Sequence, residues 1–392
     1  MPGRVLMVAF HFPPSGAVAA QRAHKFARYL PDFGWTPVVV SRRPDPLHPR
    51  DDSFTEGPKP VEELDPFEWS RLLGILPRGW IDPIRRALCV PDAETGWKAL
   101  LLRRLPDLIR RHQPDVLWAN SVPTGSLVAA ASVARQAGIP LVLDFHNEWT
   151  RNMYYRPVSA RQDAEHHRLE RECLESAAAV TTLNPMHTED LRLRFPNVRV
   201  ETIENGCDPS DYDVEPADGR RRPLVLTYAG TIYGYQSPEP FLKALAGTGR
   251  ADVEVHIVGD AFGQYSSGSW SFKVRVEGHR SHRDLGGVFS RSSAFFLCLE
   301  PSASRQLPAK LYEYLRAGRP IFGIVPKDGA ADRWILGQGA GQTVDSGAPD
   351  QWTPALGRFL DGVPEFRAPS PEKYYRRSQA GTLAALLDQV RR

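Results

Sequence analysis

Two doubly wound, Rossmann-like α/β domains are the fold that this sequence of 392 residues predicts. Short apolar runs alternate with helical periodicities from the N-terminus onwards, the pattern of a parallel sheet covered by helices on both faces. At Asp208–Pro223 the composition shifts to Asp, Pro, Gly and Arg, which marks a hinge or boundary. Beyond it the same alternation starts again. A chain of this length supports two cores of ordinary size.

In the first half, Val5–Phe10, Pro37–Val40, Val116–Ala119, Leu141–Leu143, Val180–Thr182 and Val198–Thr202 read as strands. Helical patterns lie between them at Gln21–Leu30, Trp97–Arg110, Ser126–Gln136 and Asp163–Ser176. The stretch 42–92 is rich in Pro, Asp and Arg and reads as an insertion, with a short helix around Phe67–Leu76. In the second half, Leu224–Tyr228, Val253–Val258, Phe272–Val276, Ala294–Leu299 and Ile321–Val325 read as strands. Helices are expected near Pro238–Leu245, His282–Phe289 and Lys310–Arg316. Leu383, Leu386, Leu387 and Val390 give the tail an amphipathic pattern. The expected domains are therefore 1–212, 223–370, and a C-terminal helix over 371–392 that returns to the first domain.

Hydrophobic content of 42% and charged content of 24% are those of a globular protein in water. A net charge of +3 makes no case for a nucleic-acid binder and is compatible with an anionic small ligand. Cys89, Cys173, Cys207 and Cys298 are far apart, with no CxxC pair or Cys/His cluster. Reduced thiols and a cytoplasmic location are the simplest expectation, with neither a disulfide framework nor a zinc site. Val5–Phe10 is too short for a signal peptide and reads as a buried strand. No run of 18 or more apolar residues occurs that would span a membrane. Lys98, Arg103, Arg104, Arg110 and Arg111 share a helix whose inner stripe is Leu101, Leu105 and Leu108. They suit a solvated face, and equally a weak contact with a membrane surface.

The most informative segment runs from Leu307 to Pro320. Pro308 suits a helix's first turn and Gly318 its end, with Leu311, Tyr314 and Leu315 between as the apolar stripe. Lys310 and Glu313 stand three residues apart on one face. A cation in a first turn opposes the helix dipole, and a bound anion is one reason to accept that cost. A carboxylate one turn further on can accept hydrogen bonds from hydroxyls attached to that anion. Phosphate beside a diol describes a nucleotide. The same spacing also suits an ordinary surface pair worth little energy.

Other strand ends carry polar or glycine-bearing turns. Ser15–Gly16–Ala17 follows the first strand and opens a helix, so its amides can approach phosphate or sugar oxygens. It is neither GxGxxG nor a Walker loop, and an ordinary βα turn reads the same way. Asn120, Asp144, His146 and Glu148 sit at strand ends where an α/β sheet places its ligands. His146 can hydrogen-bond a sugar hydroxyl, or equally cap a helix. Ala229–Gly230–Thr231–Ile232–Tyr233–Gly234 repeats the strand-to-glycine turn, and Gly278–His279–Arg280 can hold a base through its backbone. No G-x-S-x-G elbow, HExxH, EF-hand loop or P-loop occurs.

Taken in order, Phe12–Gly16 with Gln21–Phe26, Leu143–Trp149, Ala229–Gly234 and Pro308–Leu315 resemble the motifs of retaining glycosyltransferase family four. That resemblance runs nearly end to end. It implies the GT-B fold, two Rossmann-like domains facing across a cleft, and sugar transfer from a nucleotide-diphosphate donor with retention at the anomeric carbon. It implies no metal or other cofactor, and an acceptor that is a small molecule or a glycan. Carried over by residue, Glu313 matches the second Glu of the family's E-x7-E motif, which binds the ribose diol. The first falls on Arg305, and Thr231 stands where the family usually has a phosphate-binding Arg. Lys310, assisted by Arg305, is then the expected pyrophosphate cation. His146, Lys310 and Glu313 are the expected catalytic set. Ser15, Gly16, Ala17, Gly230, Thr231, Gly278, His279, Arg280, Arg305, Ala309 and Leu311 are expected around the donor. Asn120, Asp144 and Glu148 are expected at the acceptor. A nucleotide-sugar epimerase, or a binding protein without transfer activity, remains an alternative on the same fold.

Overall fold

The structure is a computed structural model that describes residues 2–44, 50–51, 57–67, 89–215, 222–232, 234–259, 265 and 270–391. The helix expected around Phe67–Leu76 lies outside the described residues beyond Phe67, as do Tyr233 and part of the Asp208–Pro223 boundary. The chain divides into two compact units, residues 1–204 with 376–392, and residues 205–375.

Unit 1 is a seven-stranded sheet, all parallel, in the order β3-β2-β1-β4-β5-β6-β7. Its strands are β1 (Gly3–Ala9), β2 (Trp35–Arg42), β3 (Glu62–Leu64), β4 (Val116–Asn120), β5 (Leu141–Phe145), β6 (Ala179–Thr182) and β7 (Val200–Thr202). Helices α1 (Val18–Tyr29), α2 (Thr95–His112), α3 (Gly125–Ala137), α4 (Ala160–Ser176) and α5 (Pro185–Arg194) connect them. β4 and β5 are buried at every position, as strands covered on both faces must be. The order reverses between β1 and β4, so the loops after these strands splay apart and leave a crevice at their carboxyl ends.

Unit 2 repeats the design with six parallel strands in the order β10-β9-β8-β11-β12-β13. They are β8 (Leu224–Ala229), β9 (Val253–Val258), β10 (Lys273–Glu277), β11 (Ala294–Cys298), β12 (Ile321–Val325) and β13 (Gly341–Asp345). Its helices are α6 (Glu239–Gly247), α7 (Leu285–Arg291), α8 (Lys310–Arg316), α9 (Ala330–Gln338) and α10 (Pro349–Gly362). The switch in order falls between β8 and β11, and α8 follows β11. The expected helix at His282–Phe289 is a 3-10 turn, His282–Asp284, running into α7.

β3, β13, α5, α9 and α10 have no counterpart among the expected elements. β3 and β13 are edge strands, one carrying Glu62 and Glu63 and the other only Val344 as a buried residue, so neither shows an apolar run. α5 begins with Asn184, whose side chain accepts from the Met186 amide, and Pro185, a start signal without a strong apolar stripe behind it.

The last helix, α11 (Arg376–Val390), belongs to unit 1. Ala380, Leu383, Ala384, Leu386, Leu387 and Val390 join the core built by β1, β2 and α1. Its polar face is fastened too: Arg377 pairs with Asp32 at 2.7 Å, and Trp35 Nε1 donates to Asp388 at 3.1 Å. Because Leu387 is fully buried, Leu387→Ala is expected to cost about 2–5 kcal/mol in urea unfolding. Thr382→Ala on the exposed face of the same helix should change stability by less than about 0.5 kcal/mol.

Candidate functional site

In unit 2, β8 ends in a turn at Gly230 (φ +120°) whose amide donates to Val258 O at 2.8 Å. The neighbouring turn, after β9, must hold glycine. A Cβ on Gly259 would lie 2.4 Å from Gly230 O, so only a bare backbone lets the two strand ends close up. Lys310, the first residue of α8, sends its side chain under this turn, and a Cβ on Gly230 would meet Lys310 Nζ at 3.3 Å. The ammonium lies 3.7 Å from the centre of the Tyr228 ring. It donates to the Tyr228 hydroxyl and, at 3.3 Å, to Gln236 Oε1. Tyr228 in turn donates to Gln236 Oε1 at 2.8 Å or to the Thr231 carbonyl at 3.2 Å. Tyr314, one helical turn beyond Lys310, accepts from the Ala229 amide at 2.8 Å and so ties α8 to the end of β8.

Among the described residues no carboxylate pairs with Lys310. Burial therefore dominates its ionisation and pushes its pKa from 10.5 down to about 7. Holding this charge costs folding stability below pH 7. Because the unfolded chain keeps the proton up to about pH 10, that cost fades as pH rises through the window between the two values. Glu313 is on the same helix, and its Oε2 accepts the Tyr212 hydroxyl.

The remaining donor-side candidates divide. Ala309 is the helix N-cap residue beside Lys310, and Thr231 lines the Gly230 turn. Arg305 is half-buried in the loop between β11 and α8. Gly278 and His279 are exposed after β10. Arg280 is committed to Glu277, at 2.9 Å, which also takes Arg275 and lies 3.3 Å from His256. Leu311 packs inside the unit. Its side chain is fully buried and its amide donates to Pro308 O at 3.1 Å, which makes it a packing residue. Ser15, Gly16 and Ala17 are on unit 1, where the Ser15 hydroxyl reaches His11 Nδ1 and the Ala17 amide, each at 3.4 Å.

Unit 1 carries a second polar cluster, at the carboxyl ends of β4 and β5. Asp144 is completely buried against Arg22 of α1, with Arg22 Nη2 at 2.8 Å from Oδ1 and Nε at 2.9 Å from Oδ2. Thr181 donates to Oδ1 at 2.6 Å, and Asn120 to Oδ2 at 3.2 Å. Burial raises the Asp144 pKa, but the Arg22 guanidinium and then the Thr181 hydroxyl outweigh it and hold the carboxyl below its ordinary range. This network engages the two residues expected at the acceptor, Asp144 and Asn120, inside the unit. Both oxygens of Asp144 are taken, and the Asn120 carbonyl accepts from the Val122 amide at 3.1 Å. Of that group, Glu148 remains half-exposed.

His146 follows immediately. Its amide donates to Ser121 Oγ at 2.8 Å, while its ring Nδ1 is buried without a hydrogen-bond partner among the described residues. Burial first, and then the charge of Arg22, push its pKa from 6.5 down to about 4, against the pull of Asp144. The imidazole is thus neutral at physiological pH, able to donate from one nitrogen and accept at the other. The turn that carries it is fixed to α4, with Trp149 Nε1 donating to His166 Nδ1 at 3.0 Å and Thr150 to Glu170 at 2.7 Å.

Among the described residues, no group of three or more His, Cys, Asp or Glu is placed to hold a metal ion. No described helix is long and apolar enough to cross a membrane. All four cysteines are buried. The basic face of α2 is partly spent internally, since Arg104 pairs with Glu62 and Arg110 with Asp107.

Residues 19–211, which take in both the α1 motif and the β5 strand-end cluster, match the family model described as Glycosyltransferase Family 4. That match places residues 19–211 in glycosyltransferase family 4. Solved structures extend the likeness over both units. The chain is similar to sucrose-phosphate synthase from Thermosynechococcus elongatus, with 14% identity, 99% of this chain and 98% of that one covered, and a TM-score of 0.63. It is also similar to the lipopolysaccharide outer core galactosyltransferase WaaB, with 14% identity, 98% and 99% coverage, and a TM-score of 0.62. A putative UDP-N-acetylglucosamine 2-epimerase from Listeria monocytogenes aligns at 13% identity, 99% and 96% coverage, and a TM-score of 0.59. At such identities these neighbours establish the GT-B fold. No curated protein sequence matches the chain.

Arg22 is the site residue that sequence reasoning missed, although it sits among Ala19, Ala23 and Phe26 on the buried stripe of α1. A buried charge is costly unless paired, so an arginine on that stripe implies a buried carboxylate. Arg22→Met should strand Asp144 and cost about 3–5 kcal/mol in chemical unfolding. Adding Asp144→Asn should restore part of that stability. A single variant within about 1 kcal/mol of the parent would show that the pair does not hold β5 and α1 together.

Proposed function

We propose that this chain is a family-4 glycosyltransferase and moves a sugar from a nucleoside-diphosphate donor to a hydroxyl acceptor with retention of anomeric configuration. The observation that carries the donor side is Lys310, a half-buried ammonium under a glycine turn at the sheet's carboxyl edge, with no carboxylate partner among the described residues. A diphosphate supplies the missing counter-charge. Glu313, one turn further along α8, is suited to the ribose hydroxyls. The Listeria neighbour is named for a UDP-sugar, which agrees with such a donor.

In the reaction, the bond between the anomeric carbon and the diphosphate oxygen breaks while the acceptor oxygen bonds to that carbon on the same face. The acceptor's proton passes to the departing phosphate. Negative charge grows on the leaving group, and Lys310 stabilises it there. The protein otherwise contributes positioning. His146 is suited to be a neutral partner for a sugar hydroxyl. Arg305 in place of the family's first Glu changes how the donor sugar is recognised.

Lys310→Met is expected to lower kcat by about 100-fold with an active donor and acceptor pair, because its strongest interaction belongs to the transition state. In the parent, diphosphate affinity measured by calorimetry should fall as pH rises from 7 to 9. The neutral amine must take up a proton to bind the anion, so the bound state titrates higher than the free one. Lys310→Met should lack that pH dependence, and a variant that keeps it would place the diphosphate elsewhere. His146→Ala should leave diphosphate affinity unchanged while transfer falls by about 100-fold. Release of free nucleoside diphosphate only when acceptor is present separates transfer from epimerisation and from silent binding.

A further inference from the structure

The Glu313 carboxylate is gripped on one side only. Tyr212 donates its hydroxyl to Oε2. No hydrogen bond from the described residues reaches Oε1, whose ion-pair neighbour is His282 Nε2 at 3.9 Å. Tyr212 itself is held from every direction and is 6% exposed. Arg316, one turn beyond Glu313, lays its guanidinium over the Tyr212 ring at 4.2 Å. It also donates to the main-chain carbonyls of Pro209, at 3.1 Å, and Tyr212. The rings of His282 and Phe289 meet Tyr212 edge-on at 5.2 and 5.7 Å. His282 is anchored in turn by Asp211 at 3.2 Å. A Cβ on Gly286 would fall 2.3 Å from Asp213 O and 3.1 Å from Tyr212 Cβ, so the segment can lie this close to α7 only over a glycine.

We propose that Tyr212 is a positioning residue: by fixing one oxygen of Glu313 it turns the other toward the ribose hydroxyls of the bound nucleotide. The proposal rests on the reading of Glu313 as the ribose ligand. A carboxylate on an exposed helix samples several rotamers, and one held at Oε2 by an immobile phenol does not. Less rotamer freedom is then lost when the nucleotide binds. Burial and the adjacent Glu313 raise the Tyr212 pKa well above its ordinary value, so the phenol remains a donor throughout the working range.

The test compares Kd values of UDP, GDP and ADP, and of the 2′-deoxy form of whichever binds, on the full chain by calorimetry. The parent should prefer the ribose form by about tenfold, since a hydrogen bond to a charged group is at stake. Tyr212→Phe is expected to shrink that preference to about threefold or less, by weakening the ribose form while the 2′-deoxy form stays within about twofold. Should Tyr212→Phe not yield folded protein, His282→Gln serves instead. It removes the ring packed against the phenol, keeps an amide for Asp211, and should reduce the preference in smaller measure. An unchanged preference in these variants, while Glu313→Gln abolishes it, overturns the role of Tyr212. An unchanged preference in Glu313→Gln, or no binding of any of the three diphosphates, overturns the underlying reading of Glu313.

Discussion

Lys310 keeps its ammonium under the Gly230 turn against a tyrosine ring, a hydroxyl and an amide oxygen, with no carboxylate partner among the described residues. Such a site lowers the cost of a buried charge without cancelling it, which is why the proton is held so weakly. Much of the local structure serves this one group. Gly230 and Gly259 bring two strand ends together above it, and Tyr314 fastens the strand that carries the turn. Tyr228 and Gln236 are arranged below it. An anion arriving there gains the attraction of a preorganised cation and relieves a penalty already present in the free protein.

Unit 1 handles a buried charge in the opposite way. Arg22 is buried more completely than Lys310, yet its guanidinium meets a carboxylate in a two-pronged geometry, and Thr181 and Asn120 complete the shell. That network has no appetite for a ligand. It holds β5, α1 and β6 in register, and so fixes where the strand end presents His146. The same comparison explains the two ionisations. His146 loses its proton readily because it is buried near Arg22, whereas Asp144 keeps its charge because Arg22 is in direct contact.

The inner strands were legible because apolar residues dominate them: β8, β9, β11 and β12 were found within a residue or so of their observed limits. The edge strands β3 and β13 were not, because a strand buried on one side and short in length has no continuous apolar run to announce it. The segment from Lys310 to Arg316 could be read as a helix with Lys310 and Glu313 on one side. Its burial of Leu311 could not be separated from ligand contact, since a position beside two polar residues looks the same either way. The partner of Asp144 was hidden for a related reason. A polar residue at a strand end faces either a ligand or another chain segment, and its partner is 122 positions away in sequence. The grip of Tyr212 on Glu313 was equally out of reach, because it joins residues separated by 101 positions. Sequence periodicity reports which way a residue faces within its own element and is silent about what comes to meet it.

Titration of the Lys310 ε-methylene and ammonium resonances by NMR, with and without a nucleoside diphosphate, bears most directly on the assignment of this lysine as the anion receptor. The result expected for the free protein is a midpoint near 7, as burial dictates. Addition of the diphosphate should move that midpoint upward by at least about one unit, a stabilisation of the charged form of roughly 1.4 kcal/mol. A midpoint that stays in place when the nucleotide is bound would contradict it.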